Sequence, residues 1–167
     1  SKGMHTSALF GFTNHVLKLL RKEKPDYLMA ASDSPEKTFR HKKYPEYKAT
    51  REKMPEEMQD QLPYLWKLLN AMHIPTIEKP GFEADDIIGT LAIKYSEEGH
   101  DVRIFSNDKD FAQLVNERIY LYHPQKKIEL GPKEIEEKWG VPANKVVDIL
   151  SLTGDKSDNV IGINGVG

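Results

Sequence analysis

Apolar residues recur every three to four positions from Ser7 to about Glu23, which predicts an amphipathic helix. The same spacing predicts further helices from Pro55 onward and over 83–98, 110–115, 132–139 and 142–152. Trp66 falls on the apolar side of the helix from Pro55 and is expected in the core. Short apolar runs between the helices predict strands at 27–31, 74–77, 102–105, 119–122 and 128–130. This alternation is typical of an α/β fold with a mostly parallel central sheet and helices on both faces.

Residues 34–54 show no clean periodicity and are predicted to form a loop or helical arch, called the arch below. The segment from Lys37 to Lys53 contains seven Lys or Arg and two Glu, although the whole chain has a net charge of −2. Cations interleaved with aromatic rings suit a nucleic-acid strand, because cations bind phosphates and rings stack on bases. The candidate binding residues are Phe39, Arg40, Lys42, Lys43, Tyr47, Lys48 and Arg51. The alternative is an ordinary solvated charged loop.

Acidic residues follow several predicted strands, at the edge where ligands of open α/β sheets bind. They are Asp33, Glu83, Asp85, Asp86, Asp108, Asp110, Asp155 and Asp158. Taken singly, each has a structural explanation as a helix cap, a favourable charge at a helix N-terminus or a turn residue. These acids come from four segments, at 33, 83–86, 108–110 and 155–158. The functional interpretation depends on all four segments meeting at one edge.

The donor types at this edge favour Mg²⁺, with Mn²⁺ able to substitute, because carboxylate oxygens are hard ligands. The sequence has no Cys, and no His lies within these motifs, so a zinc site is not expected. Two such ions can activate water and stabilise the leaving oxygen of a phosphodiester. The absence of Cys also excludes disulfides and fits a reducing cytoplasm.

Two motifs give the sequence a resemblance to a known family. They are Glu-Ala-Asp-Asp-Ile-Ile-Gly-Thr-Leu-Ala over 83–92 and Gly-Asp-Lys-Ser-Asp-Asn over 154–159. With Thr-Phe-Arg over 38–40 and Asp-Lys-Asp over 108–110, they resemble the 5′-nuclease family. This family comprises the 5′–3′ exonuclease domain of bacterial DNA polymerase I, its stand-alone bacterial relatives and the flap endonucleases. The resemblance implies a PIN-like fold with the arch over the active site.

The resemblance also implies a role for each candidate residue in a nuclease that cuts DNA at 5′ ends or flaps during replication and repair. Asp33, Glu83 and Asp85 would serve one metal ion, and Asp86 would lie between the two sites. Asp108, Asp110, Asp155 and Asp158 would serve the second ion. Arg40 and Lys48 would contact the scissile phosphate, Tyr47 would stack on or guide a base, and Lys109 would lie near the phosphate or orient the acids.

The C-terminal segment resembles the start of a helix–hairpin–helix that grips duplex DNA and binds K⁺. Gly162, Gly165 and Gly167 would form its hairpin, with Asn164 where Pro is usual. We therefore expect a catalytic domain over 1–152 and a duplex-binding motif from 153 to 167. The expected context is a monomer at the DNA of the bacterial cytoplasm, with a polymerase either fused or in the same pathway, and no membrane association.

Two alternatives compete with an active nuclease. Family members begin with a strand carrying Asp-Gly and a metal ligand, and that strand would precede Ser1. Without it, the chain would be a catalytically impaired module that binds branched DNA. A small-molecule phosphatase is the other alternative, but it needs paired Asp residues directly after the first strand, where Asp33 is followed by Ser34 and Pro35. Metal-dependent cleavage of flap DNA distinguishes the active nuclease from both alternatives.

Overall fold

The structure of this 167-residue chain is a computed structural model that describes residue 3 and residues 5–166. Its helices are α1 Ser7–Lys22, α2 Phe39–Lys43, α3 Glu56–Gln59, α4 Leu62–Ala71, α5 Ala84–Glu97, α6 Pro132–Trp139 and α7 Val146–Thr153. Two 3₁₀-helices span Lys109–Leu114 and Ala143–Lys145. The strands are β1 Ala30–Ala31, β2 Thr76–Ile77, β3 Val102–Phe105, β4 Ile119–His123, β5 Ile128–Leu130, β6 Gly154–Asp155 and β7 Val160–Ile161. None of the helices in the described part of the chain has the length and apolarity needed to cross a bilayer.

The chain divides into two compact units, and the first combines residues up to Ser32 with Glu52–Glu78. In this unit β1 pairs in parallel with β2, with Ala30 opposite Thr76. Helices α1 and α4 pack around Val16, Leu69 and Ile74, which are at most 8% exposed. The apolar spacing of α1 therefore buries one side of that helix, as predicted.

Three details of the first unit differ from the sequence-based prediction. The helix expected from Pro55 is divided into α3 and α4, because Pro63 has no N–H to continue the backbone ladder. Trp66 is 38% exposed instead of lying in the core. The strand expected at 27–31 begins only at Ala30, and Tyr27 is 77% exposed.

The second unit combines Asp33–Arg51 with the chain from Lys79 onward. Strand β4 lies between β3, with which it is parallel, and β5, with which it is antiparallel. A buried cluster that includes Ile104, Ile119, Ile135 and Val146 packs these strands against the neighbouring helices. The predicted α/β class is correct, but the described strands form small separate sheets instead of one continuous sheet.

A close approach of two glycines shapes the end of the second unit. Gly154 follows α7 with a φ of +73°, and β6 then pairs with β7 in an antiparallel hairpin. A Cβ on Gly154 would lie 2.3 Å from the backbone nitrogen of Gly162, and a Cβ on Gly162 would lie 2.2 Å from the carbonyl oxygen of Thr153. Only glycine fits at both positions, and this packing holds the turn between the two strands. We call residues 155–159 the acidic turn.

Candidate functional site

The N-terminus of α5 gathers four of the predicted acids. Glu83 is the N-cap residue, and its backbone N–H donates to Asp86 Oδ2 at 2.9 Å. Asp33 Oδ1 accepts a hydrogen bond of 2.7 Å from the backbone N–H of Ala84, and Asp85 occupies the first turn. Free N–H groups and the helix dipole favour negative charge at this end. Acids from two separate segments therefore meet here.

Cations of the arch bind directly to these acids. Arg40 donates from Nη1 and Nη2 to the two carboxylate oxygens of Asp86, at 2.7 and 2.8 Å. This pairing is the largest cause that holds the pKa of Asp86 below its usual value. Lys48 Nζ lies 2.8 Å from Glu83 Oε1, and the Glu83 side chain is only 7% exposed. The arch therefore neutralises Glu83 and Asp86.

Tyr47 links the arch to two acids from distant segments. Its hydroxyl lies 3.0 Å from both Glu83 Oε2 and Asp158 Oδ2, so one proton is shared between two carboxylates. Burial and these two hydrogen bonds raise the pKa of Tyr47 far above its usual value, which keeps the hydroxyl protonated. The residue is 8% exposed, with its ring against the edge of His41. Its predicted role in base stacking stays a prediction, and in this conformation the ring is covered.

The acids of the 3₁₀-helix Lys109–Leu114 and the acidic turn form a second group. Asp108 caps the 3₁₀-helix by accepting from the backbone N–H of Asp110 at 2.9 Å. Lys109 Nζ lies 2.8 Å from Asp155 Oδ2. Burial alone would raise the pKa of Asp155, but the hydrogen bonds from Lys109 and Ser157 outweigh it and hold that pKa at about 2. Lys109 thus orients one acid and keeps it ionised.

Asp85 and Asp110 carry negative charge that the surrounding cations do not balance. Asp85 is exposed when the whole residue is considered, but its carboxyl group is partly buried. This partial burial and the charge of Asp108 raise the pKa of Asp85 to about 6. Burial and the charges of Asp108 and Asp155 also raise the pKa of Asp110. Asp110 Oδ1 is buried and has no hydrogen-bond partner among the described residues. An unpaired buried carboxylate oxygen is costly, and a positive charge beside it would lower that cost.

The donor set fits a divalent cation in its chemistry. Asp85, Asp108 and Asp110 offer hard oxygen ligands whose mutual repulsion a cation would relieve. Over residue 3 and residues 5–166, however, no three acid, His or Cys side chains are arranged as a metal site. Arch groups occupy oxygens of Glu83, Asp86 and Asp158 that the prediction assigned to metal. The acids of the described residues therefore lie close enough to affect one another's pKa, although no three of them are placed as ligands of one ion.

The other predicted DNA-binding residues lie mainly on the outside of the arch. Phe39 is 37% exposed, Arg40 Cζ lies 4.7 Å from the centre of its ring, and Lys42 and Lys43 are exposed. Arg51 Nη2 reaches Asp158 Oδ1 at 3.4 Å.

The glycines assigned to the duplex-binding hairpin have structural explanations of their own. Gly162 is required by the close backbone packing at Gly154, and Gly165 has a φ of +82°. Gly167 lies outside the described residues. The domain boundary at 152 and the duplex-binding role of this segment stay predictions.

The sequence interpretation missed some residues that shape the arch. Thr38 is buried, and its backbone N–H donates to His41 Nδ1 at 3.2 Å at the start of α2. Thr followed three residues later by a polar side chain is a capping pattern and could have indicated this helix. Tyr44 and Asn159, which join the arch to the acidic turn, carry no local signal because they are 115 residues apart.

The described chain has the fold of known 5′-nucleases. It matches the T5 D15 protein, co-crystallised with metal ions, with a TM-score of 0.80 and 22% identity over 94% of this chain and 63% of that chain. It matches the bacteriophage T5 D15 flap endonuclease, solved as a pseudo-enzyme-product complex with DNA and metal ions, with a TM-score of 0.78 and 21% identity. That match covers 100% of this chain and 64% of the other. These similarities confirm the predicted fold class.

Residues 1–140 match the family described as 5′-3′ exonuclease, N-terminal resolvase-like domain, and the chain belongs to that family. The 5′-3′ exonuclease of Aquifex aeolicus (strain VF5) is 43% identical over 167 residues, which is all of this chain and 58% of that protein. DNA polymerase I of Bacillus caldotenax is 41% identical over 170 residues, covering 99% of this chain and 19% of that protein. The chain thus spans somewhat more than half of the first relative and about a fifth of the second. The predicted resemblance is confirmed.

Proposed function

We propose that this chain is the catalytic part of a magnesium-dependent 5′-nuclease that hydrolyses phosphodiesters at 5′ ends and flaps of DNA. One observation carries the proposal: Arg40 and Lys48 of the basic arch bind Asp86 and Glu83 at the N-terminus of α5. Cations suited to phosphate thus lie beside acids suited to a divalent ion. A strand bound by the arch would bring its phosphodiester to these carboxylates.

We assign the acids to divalent ions as the family resemblance implies. Asp33, Glu83 and Asp85 would hold one ion, Asp108, Asp110, Asp155 and Asp158 the other, with Asp86 between them. The incompletely neutralised charges of Asp85 and Asp110 support this assignment. Such ions supply activation of water for attack on phosphorus and stabilisation of the leaving oxygen. Mg²⁺ fits this chemistry, Mn²⁺ can replace it, and K⁺ would bind at the helix–hairpin–helix.

The protein's own cations position the substrate. The guanidinium of Arg40 presents two parallel N–H donors to Asp86, and a phosphate accepts the same pair. Arg40 and Lys48 can therefore exchange a carboxylate partner for a phosphate oxygen when DNA enters. Lys109 keeps Asp155 ionised and oriented while this exchange takes place.

The comparisons support DNA as the substrate of this site. The T5 D15 flap endonuclease, which shares the fold, was solved with DNA and metal ions. Relatives of about 40% identity are named DNA polymerase I, and this chain matches about a fifth of each. We propose that the chain acts as a monomer on 5′ ends, flaps or nicks in the bacterial cytoplasm, with a polymerase fused to it or working on the same DNA.

A second candidate is a branched-DNA-binding module without catalysis. The observation in its favour is that groups of the arch already bind Glu83, Asp86 and Asp158. If these bonds excluded metal ions permanently, the arch would still bind phosphates in a salt-sensitive way. This candidate predicts affinity for branched DNA and no turnover at any concentration of Mg²⁺ or Mn²⁺.

Cleavage of a labelled 5′-flap duplex in Mg²⁺, Mn²⁺ or EDTA tests the proposal. We expect cleavage with either metal and none in EDTA. Asp108→Asn should lower the rate by about 100-fold or more, because it removes a charged ligand that an amide replaces poorly. Flap binding in Ca²⁺ should remain, which would separate lost chemistry from lost affinity.

Asp148→Asn is the matched control for this substitution. Asp148 is an exposed acid on α7 that lies 3.1 Å from Lys145 Nζ, so the same chemical change there should leave cleavage unaltered. Equal rates for the wild type and Asp108→Asn would refute the assignment of Asp108. Tight flap binding without turnover in either metal would favour the binding module.

A further inference from the structure

Three of the hydrogen bonds that join the arch to the acidic turn use neither a carboxylate nor a charged side chain. Tyr44 Oη donates to the carbonyl oxygen of Asn159 at 3.1 Å. Asn159 Nδ2 donates to the carbonyl oxygen of Glu46 at 2.8 Å. The backbone N–H of Lys48 donates to the carbonyl oxygen of Asp158 at 3.0 Å. We call these three bonds the clasp.

The clasp holds two residues in an uncommon backbone conformation. Lys48 has a φ of +56° and Asn159 a φ of +59°, both in the left-handed region. Asn tolerates this region, whereas a Lys residue there is strained and depends on its surroundings to stay. The bond from the Lys48 N–H to the acidic turn lies at this strained residue. The clasp therefore determines where the backbone presents the Lys48 side chain.

The chemistry of the clasp separates it from the ion pairs of the site. Entry of a phosphate or a divalent ion would compete for Lys48 Nζ, for Arg40 and for the carboxylates of Glu83 and Asp158. It would compete less for the hydroxyl of Tyr44, the amide of Asn159 and the three backbone carbonyls, because these groups carry no net charge. The arch can thus release its ion pairs to substrate without leaving the acidic turn.

We propose that Tyr44 and Asn159 are positioning residues. Through the clasp they hold Lys48 over the acids of α5 after a substrate phosphate has replaced Glu83 as the partner of Lys48. This inference rests on the proposed nuclease function. It predicts that the clasp contributes to the rate of the chemical step more than to DNA affinity, because the arch keeps all its cations when the clasp is broken.

The test is the double variant Tyr44→Phe/Asn159→Gly. Phe retains the ring without the donor, and Gly adopts positive φ freely while losing the amide. Amide hydrogen exchange over residues 46–51 of the metal-free protein should become at least about tenfold faster. With a 5′-flap substrate in Mg²⁺, kcat should fall about tenfold while KM changes less than about threefold.

Tyr120→Phe is the control, since Tyr120 Oη also donates to a backbone carbonyl, that of Glu117, at 3.1 Å. It should leave both exchange and kcat unchanged, with a melting temperature close to that of the clasp variant. Unchanged exchange in the clasp variant would overturn the inference. Faster exchange with an unchanged kcat would overturn the positioning role. If the wild type does not cleave at all, the proposed function fails, and the exchange data alone decide whether the clasp holds the arch.

Discussion

At the scale of single residues, identical side chains acquire opposite properties from their neighbours. Asp155 lies against Lys109 and Ser157, and its pKa stays at about 2. Within the part of the chain that the structure describes, Asp85 has no hydrogen-bonded cation, and partial burial with the charge of Asp108 raises its pKa to about 6. In the metal-free protein, ionised Asp85 is therefore destabilising, whereas ionised Asp155 is stabilising.

The raised pKa of Asp85 predicts the pH dependence of stability. Between its usual pKa of 3.8 and about 6, the folded state binds more protons than the unfolded state, so its contribution to stability falls as pH rises through this window. Asp85→Asn should therefore raise the melting temperature at pH 7 in EDTA. The gain should be about 1 kcal/mol or less, because the exposure of the residue screens the charge.

Thermal unfolding of the wild type and the variant at several pH values checks this prediction. The gain should disappear below about pH 3, where the carboxyl group is mostly protonated in both states. Mg²⁺ should stabilise the wild type more than the variant. A lower melting temperature for Asp85→Asn at pH 7 in EDTA would contradict the cause we assign to the raised pKa.

At the scale of elements, the limits of prediction follow the range of the interactions. The boundaries of β3, β5 and α6 were predictable, because each depends on a local apolar pattern and on turn residues such as Gly140, with a φ of +72°. The hairpin of β6 and β7 was not predictable, because it depends on the contact of Gly154 with Gly162. The acidic residues were identified from the sequence because they lie at the ends of predicted strands and helices. Their hydrogen bonds with the arch are long-range tertiary contacts, and no local sequence pattern indicates them.

The glycine contact gives a prediction at this scale. Gly162→Ala should lower the free energy of unfolding by about 2 kcal/mol or more, because its Cβ would meet the backbone of Thr153 and no side chain can move away. Gly11→Ala, in the middle of α1 with no atom within 4 Å of the added Cβ, should instead stabilise by about 0.5–1 kcal/mol. Urea unfolding measures both. Equal effects of the two substitutions would refute the close packing.

At the scale of the whole molecule, charge is segregated although the total is small. The chain has a net charge of −2, yet seven cations and two acids lie between Lys37 and Lys53. In the second unit this basic segment binds the acids of α5 and the acidic turn. DNA affinity should therefore depend on this local field and not on the net charge.

The salt dependence of flap binding in Ca²⁺ tests this segregation. Lys42→Ala should weaken binding and lower the slope of log affinity against log salt by about 1, because one phosphate contact is lost. Lys22→Ala, at the C-terminal end of α1, removes the same charge outside the arch and should leave the slope unchanged. Fluorescence anisotropy with a labelled flap measures both slopes. Equal slopes for the two variants would show that the location of the charge is unimportant.

The distance in sequence between the two sides of the clasp has a consequence for biosynthesis. Asn159 is translated 115 residues after Tyr44, which at about 5–20 residues per second means a delay of roughly 6–23 seconds. Throughout that interval the emerging chain has its basic segment but lacks the turn that fixes it. A nascent chain would therefore be able to bind nucleic acid through this basic segment before the clasp has formed.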